Sequence, residues 1–137
     1  DVLGRLGYVT ELVRELKDVY LEELKLGSGT FFENINAFSG CHGFNGMAGA
    51  LLTNKVLGLG QPMERTKTVC IEPHPGQLRW AEGAAVCGDG MIFLKWSADA
   101  DEHTLQMSLS LPEGWQAEFS RSFELSGWKI ELNGKTV

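Results

Sequence analysis

Leu105-Gln106-Met107-Ser108-Leu109-Ser110-Leu111 decides the fold, because every second residue is apolar and every residue between is polar. Successive side chains on a strand point to opposite faces, so this alternation describes a strand buried on one side and wetted on the other. The same period recurs in Ile92, Leu94, Trp96, in Trp115, Ala117, Phe119 and in Trp128, Ile130, Leu132, and more weakly at Val69, Ile71 and at Leu78, Trp80. Turn formers separate these runs and follow the last: His74-Pro75-Gly76, Gly88-Asp89-Gly90, Asp99-Ala100-Asp101, Pro112-Glu113-Gly114 and Asn133-Gly134. Short strands at this regular spacing predict an antiparallel β-sandwich. Trp96, Trp115 and Trp128 lie on the inward phase, and Trp80 shares the phase of Leu78, so core packing is expected of all four, as it is of Met91 and Met107.

Upstream of Pro62 the period is 3.6. Leu3, Leu6, Val9, Val13, Leu16, Tyr20 and Leu24 recur every three or four positions, with Glu11, Arg14, Glu15, Asp18, Glu22 and Lys25 opposite. Residues 1 to about 25 are thus predicted to be an amphipathic helix, weakened at its start by Gly4 and Gly7. After Gly27-Ser28-Gly29 a second helical stretch runs from about Gly43 to Leu57 and is ended by Gly58, Gly60 and Pro62. The expected class is α+β, mainly β, with a helical part over 1–61 and an antiparallel β-sandwich over 62–137. Two helices do not bury a sizeable core alone, so they lean on the β part or on further protein. Further protein is the expectation, since the chain starts at Asp1 directly in helical periodicity and reads as a fragment.

Composition narrows the function classes. Of 137 residues 43% are hydrophobic and 22% charged, enough for a collapsed core and unlike a disordered chain. No apolar run approaches the roughly 18 residues of a membrane helix. The net charge of -6, with no Lys/Arg cluster, argues against nucleic acid as a partner. Cys41, Cys70 and Cys87 are an odd number without CxxC spacing, which writes neither a zinc knuckle nor a disulfide scaffold and leaves the redox compartment open.

One region carries candidate chemistry. Glu33 and His42 lie in the segment between the two helices, where loops at helix ends place catalytic groups. The plain alternative for Glu33 is a helix cap or a solvated carboxylate. Cys41 and His42 are adjacent, and neighbours on a helix point about 100° apart, so they do not form a thiol–imidazole pair. His74 and His103 sit in turns without a partner at ligand spacing; both are expected to face solvent, and no metal site is expected. A carbohydrate platform needs an exposed aromatic, and Trp115, after a Pro-Glu-Gly turn, is the one candidate.

The order of these pieces resembles the C-terminal end of a bacterial α-L-rhamnosidase of glycoside hydrolase family 78. The resemblance rests on Gly27-Ser-Gly-Thr-Phe-Phe-Glu33, Ser39-Gly-Cys-His42-Gly43, Val56-Leu57-Gly58, Ile71-Glu-Pro73, Leu78-Arg-Trp80-Ala81-Glu-Gly83, Gly90-Met-Ile92 with Trp96, and Pro112-Glu-Gly114-Trp-Gln-Ala117. It implies that residues 1–61 are the last helices of a truncated (α/α)6 catalytic barrel and 62–137 the family's C-terminal β-sandwich. Members hydrolyse terminal α-L-rhamnosides with inversion, using a carboxylic acid on the leaving oxygen and a carboxylate that activates water. Their Thr-x-x-Glu motif falls on Thr30 to Glu33, which makes Glu33 the implied general base. Ser39 to His42 matches a Ser/Cys-x-x-His element, making His42 the implied contact to sugar hydroxyls, with Phe31 and Phe32 as aromatic neighbours. Phe32 stands where the family usually has Trp, and Cys41 where it often has Asn, which leaves the exact sugar open. The general acid comes from an earlier part of the barrel, so this chain alone is expected to be inactive. No cofactor is implied; the implied partners are a rhamnoside and the remainder of the barrel, in bacterial cytoplasm or periplasm. Without that remainder Leu6, Val9, Met47 and Leu51 are expected to form an exposed apolar patch. The reading from another class is a non-catalytic β-sandwich, an accessory or glycan-binding module.

Overall fold

A computed structural model of the chain describes residues 2–25, 27, 30, 32 and 43–137. Helix α1 (Val2–Arg5) and helix α2 (Val9–Lys25) are two pieces of the predicted first helix, separated where Gly7 takes a left-handed φ of 80°. The second helical stretch starts as a 3-10 turn at Gly43–Gly46, becomes α3 (Met47–Leu51) and continues as a π-helical segment, Leu52–Leu57. It stops at Gly58, as predicted. There the left-handed cap is joined by a steric demand, since a Cβ would come within 2.2 Å of the Glu72 carbonyl oxygen. Among the described residues no helix is long and apolar enough to cross a membrane.

Seven strands follow: β1 (Thr68–Ile71), β2 (Trp80–Cys87), β3 (Gly90–Asp99), β4 (Thr104–Ser110), β5 (Gln116–Phe119), β6 (Lys129–Leu132) and β7 (Lys135–Thr136). Five lie on predicted runs, and β2 starts only at Trp80, the last residue of the predicted Leu78–Trp80 run. The seventh is folded back on β6 by Asn133-Gly134, both with positive φ, the preference of a tight hairpin turn. The strands make a five-stranded sheet in the order β2-β3-β4-β6-β7 and a two-stranded sheet of β1 and β5.

Pairing is mixed, which corrects the expected all-antiparallel sandwich: β4 runs parallel to β6 and β1 parallel to β5. After β4 the chain crosses to the small sheet as β5 and returns through residues 111–128, a connection long enough to bring β6 back in the direction of β4. Local alternation reports which face a residue takes, not which strand it pairs with.

The inner faces of both sheets share one core, in which Val69, Ile71, Ile92, Leu94, Trp96, Leu105 and Ile130 are buried. The facing positions of β2 are small: Ala81, Gly83 and Ala85. Leu57 fills that space, its Cδ2 lying 2.9 Å from where a Gly83 Cβ would stand. Trp96 Nε1 donates to the Leu57 carbonyl at 3.0 Å, and Leu59 bridges Ile71 beside the small sheet. A second cluster of Val9, Leu12 and Val56 is closed by Leu78 from the β side. The helices therefore lean in part on the β part of this chain, while Leu6, Leu24, Met47 and Leu52 stay uncovered by it. Leu6 and Met47 of the expected patch are exposed, Leu51 is half-buried and Val9 is buried.

Three further side chains depart from the sequence reading, and a fourth settles an alternative. Trp80 is 62% exposed, because Leu78 belongs to the turn before β2 and the strand's own alternation starts afterwards, with Ala81 inward. Met91 is exposed beside its partner Val86. Trp115 is buried in the core, as expected, and its Nε1 donates to Asp89 Oδ2 at 2.9 Å, which rules out the alternative of an exposed platform. His74 does not face solvent: its side chain is only 13% exposed and lies between Glu124, 3.5 Å from Nδ1, and Glu72, 3.9 Å from Nε2. The turn carrying it is tucked under the Phe123–Leu125 segment, where the Gly76 amide donates to Glu124 and the buried Ser122 hydroxyl to the Pro73 carbonyl.

Candidate functional site

The segment singled out by sequence begins where α2 ends at Lys25 and finishes where the 3-10 turn starts at Gly43. Glu33, Phe31 and His42, together with Phe38, Ser39 and Cys41, lie outside the described residues. Thr30, just before them, and Phe32, between Phe31 and Glu33, are described: Thr30 is exposed and Phe32 is buried, 6% exposed. The two helices that flank this segment enclose a hollow of about 570 Å³. Tyr20, Glu23 and Leu24 line it from α2, Gly27 and Thr30 from the connecting segment, and Ala48, Gly49 and Leu52 from the other side. The small residues Ala48 and Gly49 leave the space that larger side chains would fill.

Glu23 is the unexpected member. It sits in the last turns of α2, is only 7% exposed, and its Oε2 is buried without a hydrogen-bond partner. An unpartnered buried carboxylate oxygen is costly, and what relieves the cost is a donor: a hydroxyl, an amide or a cation. Tyr20, one turn earlier, has its phenol pushed above the usual tyrosine range, first by burial and then by the negative charge of Glu23. Its hydroxyl therefore keeps its proton at neutral pH and can donate as well as accept. The hollow joins apolar walls to a carboxylate and a phenol, a combination suited to a polyhydroxylated ligand.

The spacing of α2 held a signal for Glu23. The inward line is Val9, Leu12, Leu16, Tyr20 and Glu23, at intervals of three and four with Leu16 and Tyr20 half-buried, and Glu23 continues the apolar face instead of the charged one. Leu6 and Leu24, assigned to the apolar stripe, are exposed. Cys70 is a poor nucleophile candidate, because burial, Glu72 and Glu118 together raise its thiol pKa and hold it protonated.

With this geometry in view, the solved structures supply one informative likeness. A crystal structure of a GH78 family rhamnosidase of Bacillus sp. GL1 superposes with a TM-score of 0.79 at 23% sequence identity, over 95% of this chain and 15% of that one. The two share a fold. The match covers the helices and the strands alike, so the association of both parts recurs in that protein. This chain spans less than one sixth of the length of that rhamnosidase. No protein-family model matches the sequence, and no curated protein does.

Proposed function

We propose that the chain is the C-terminal portion of an inverting glycoside hydrolase that cleaves terminal α-L-rhamnosides, with 1–61 as the last helices of an (α/α)6 barrel and 62–137 as its C-terminal β domain. The observation that carries the reading is the fold shared with a GH78 rhamnosidase over nearly the whole chain. The hollow beside Thr30, between the helices that flank the Glu33 segment, supports it.

In this reading Glu33 stays ionised near neutral pH and takes a proton from the attacking water, which must lie within about 3 Å of it. A neutral His42 imidazole both donates to and accepts from sugar hydroxyls, while Phe31 and Phe32 supply apolar wall. Inversion needs a second carboxyl roughly 6.5 to 9.5 Å from the base, acting as the acid on the leaving oxygen. That acid comes from the rest of the barrel, so the chain alone binds weakly and does not turn over.

The test is hydrolysis of an aryl α-L-rhamnoside by the longer protein and by this chain, each with and without Glu33→Gln. The longer protein is expected to be active and to lose about 10²–10⁴-fold in kcat in the variant with KM little changed, the chain being inactive throughout. Undiminished turnover in the Glu33→Gln protein would remove the base assignment.

A further inference from the structure

We propose that the outer face of the five-stranded sheet is a binding trough for a neutral oligosaccharide. The register sets the face. Trp80, Ser97 and Gln106 form one row across β2, β3 and β4; Glu82, Lys95 and Ser108 form the next; Ala84, Phe93 and Ser110 form a third. All point away from the core, since Ala81, Ile92, Leu94, Trp96 and Leu105 point into it.

The face carries shallow, open depressions. Two depressions of about 360 and 340 Å³ lie side by side and share Lys95 and Ser108. Their floor is β4, a central strand whose outward side chains are Gln106, Ser108 and Ser110, two of them too short to fill the space between their neighbours. Exposed aromatics stand on β2 and β3: Trp80 is 62% and Phe93 50% exposed. The cross-strand partner of Phe93 is four residues along β2 from Trp80, about 13 Å at roughly 3.3 Å per residue, a span for several linked sugars and not one.

Charge and polarity select the occupant. The charges that line the two depressions are paired on the same face, Lys95 with Glu82 at 3.3 Å and Glu131 with Lys129 at 2.7 Å, so the lining presents no unpaired cation to a polyanion. A protein partner meets an apolar centre inside a polar rim. Here Gln106, Ser108 and Ser110 run along the middle of the face among carbon-rich walls, and the larger apolar side chains Phe93, Met91 and Val86 lie to one side, toward the β2–β3 hairpin. Aromatic faces that stack on sugar C–H groups, beside side chains that exchange hydrogen bonds with hydroxyls, match a neutral glycan. The inference does not depend on Glu33 or on the rhamnosidase reading, because none of those residues belongs to this face.

The experiment is an amide NMR titration of the full chain with a neutral α-linked rhamno-oligosaccharide and, separately, with cellohexaose. Saturable shifts are expected at Phe93, Lys95, Ser108 and Ser110, together with a shift of the Trp80 indole. Phe93→Ala is expected to weaken binding by about tenfold or more, equivalent to about 1.4 kcal/mol, and Ser108→Arg, which fills the floor, to abolish it. Both positions are exposed, so the spectra outside the face report that the fold is kept. Response to either sugar supports the trough, and preference for one identifies its ligand. The proposal is overturned if neither sugar perturbs these amides, if both variants bind like the parent, or if the face proves instead to mediate self-association that Phe93→Ala abolishes.

Discussion

The sheets and the helices of this chain meet the same requirement, burial of apolar side chains, with different success. Across the sheets, Ile92, Trp96, Leu105 and Ile130 are closed off largely by residues of the same region, and the central strands β3 and β4 are paired on both sides. On the helical side three residues, Val9, Leu12 and Val56, are closed by one β-side residue, Leu78, while Leu6, Leu24, Met47 and Leu52 remain exposed. A helix satisfies its own hydrogen bonds but depends on others for cover. The β region therefore sets the stability of the chain, and the helices borrow from it through Leu57 and Leu78. Their uncovered side is where the proposed remainder of a barrel would sit.

Trp96 is where breaking this arrangement has the largest effect, because its ring is core and its Nε1 holds the Leu57 carbonyl. Trp96→Ala is expected to cost about 3–5 kcal/mol in urea unfolding. Trp96→Phe keeps most of the ring and strands a buried carbonyl, for about 1–3 kcal/mol. Hydrogen exchange then distinguishes the regions: in the Phe variant, amides of 52–57 and α2 are expected to lose protection before those of β3 and β4.

Leu12→Ala tests the contact strip from the other side, at about 2–4 kcal/mol within the range for buried leucines. Protection is expected to fall in α2 and to stay unchanged in β3 and β4. Equal loss in both would make the chain one cooperative unit and end the distinction drawn above. Glu23→Leu has the opposite sign. Removing a buried carboxylate oxygen that has no partner is expected to stabilise the chain by about 1–3 kcal/mol, read as a higher urea midpoint. A stability gain accompanied by lost sugar hydrolysis in the longer protein would mark Glu23 as retained for the ligand.

Sequence alone made the β region legible because its information is local. Alternation at Leu105 to Leu111 placed β4 and its inner face, and Gly58 ended the second helix as predicted. Pairing was not legible: the parallel partners of β4 and β1 are set by where a long connection returns. Exposure failed where a run crossed a turn, as at Leu78 and Trp80, and where a distant segment covered a loop, as at His74. On the helical side the stripe was right at Leu3, Val9, Val13, Leu16 and Tyr20, but it included the exposed Leu6 and Leu24 and missed Leu12 and Glu23. The Thr30 to Glu33 motif was legible through family resemblance and not through periodicity, since a loop carboxylate has no period; its role rests on the activity test.

The smallest predicted effect lies inside the β region and tests whether its two sheets are joined by electrostatics as well as by core. Asp89, in the β2–β3 turn, accepts from Trp115 Nε1 next to β5 and lies 3.0 Å from Lys67 Nζ ahead of β1. The hydrogen bond from Trp115, then that from Lys67 and its positive charge, hold the Asp89 carboxyl below the usual aspartate range. A depressed folded-state pKa stabilises the fold above the unfolded value and ceases to do so as pH falls through the folded one. Asp89→Asn is therefore expected to lower the urea midpoint at neutral pH, with a gap to the parent that narrows only below the ordinary aspartate value of about 3.9. Because Asp89 is solvent-exposed, salt is expected to shrink the same gap. A gap that persists unchanged at acid pH would assign the link to the shape of the Trp115 contact and not to charge, and α2 protection is expected to be indifferent in either case.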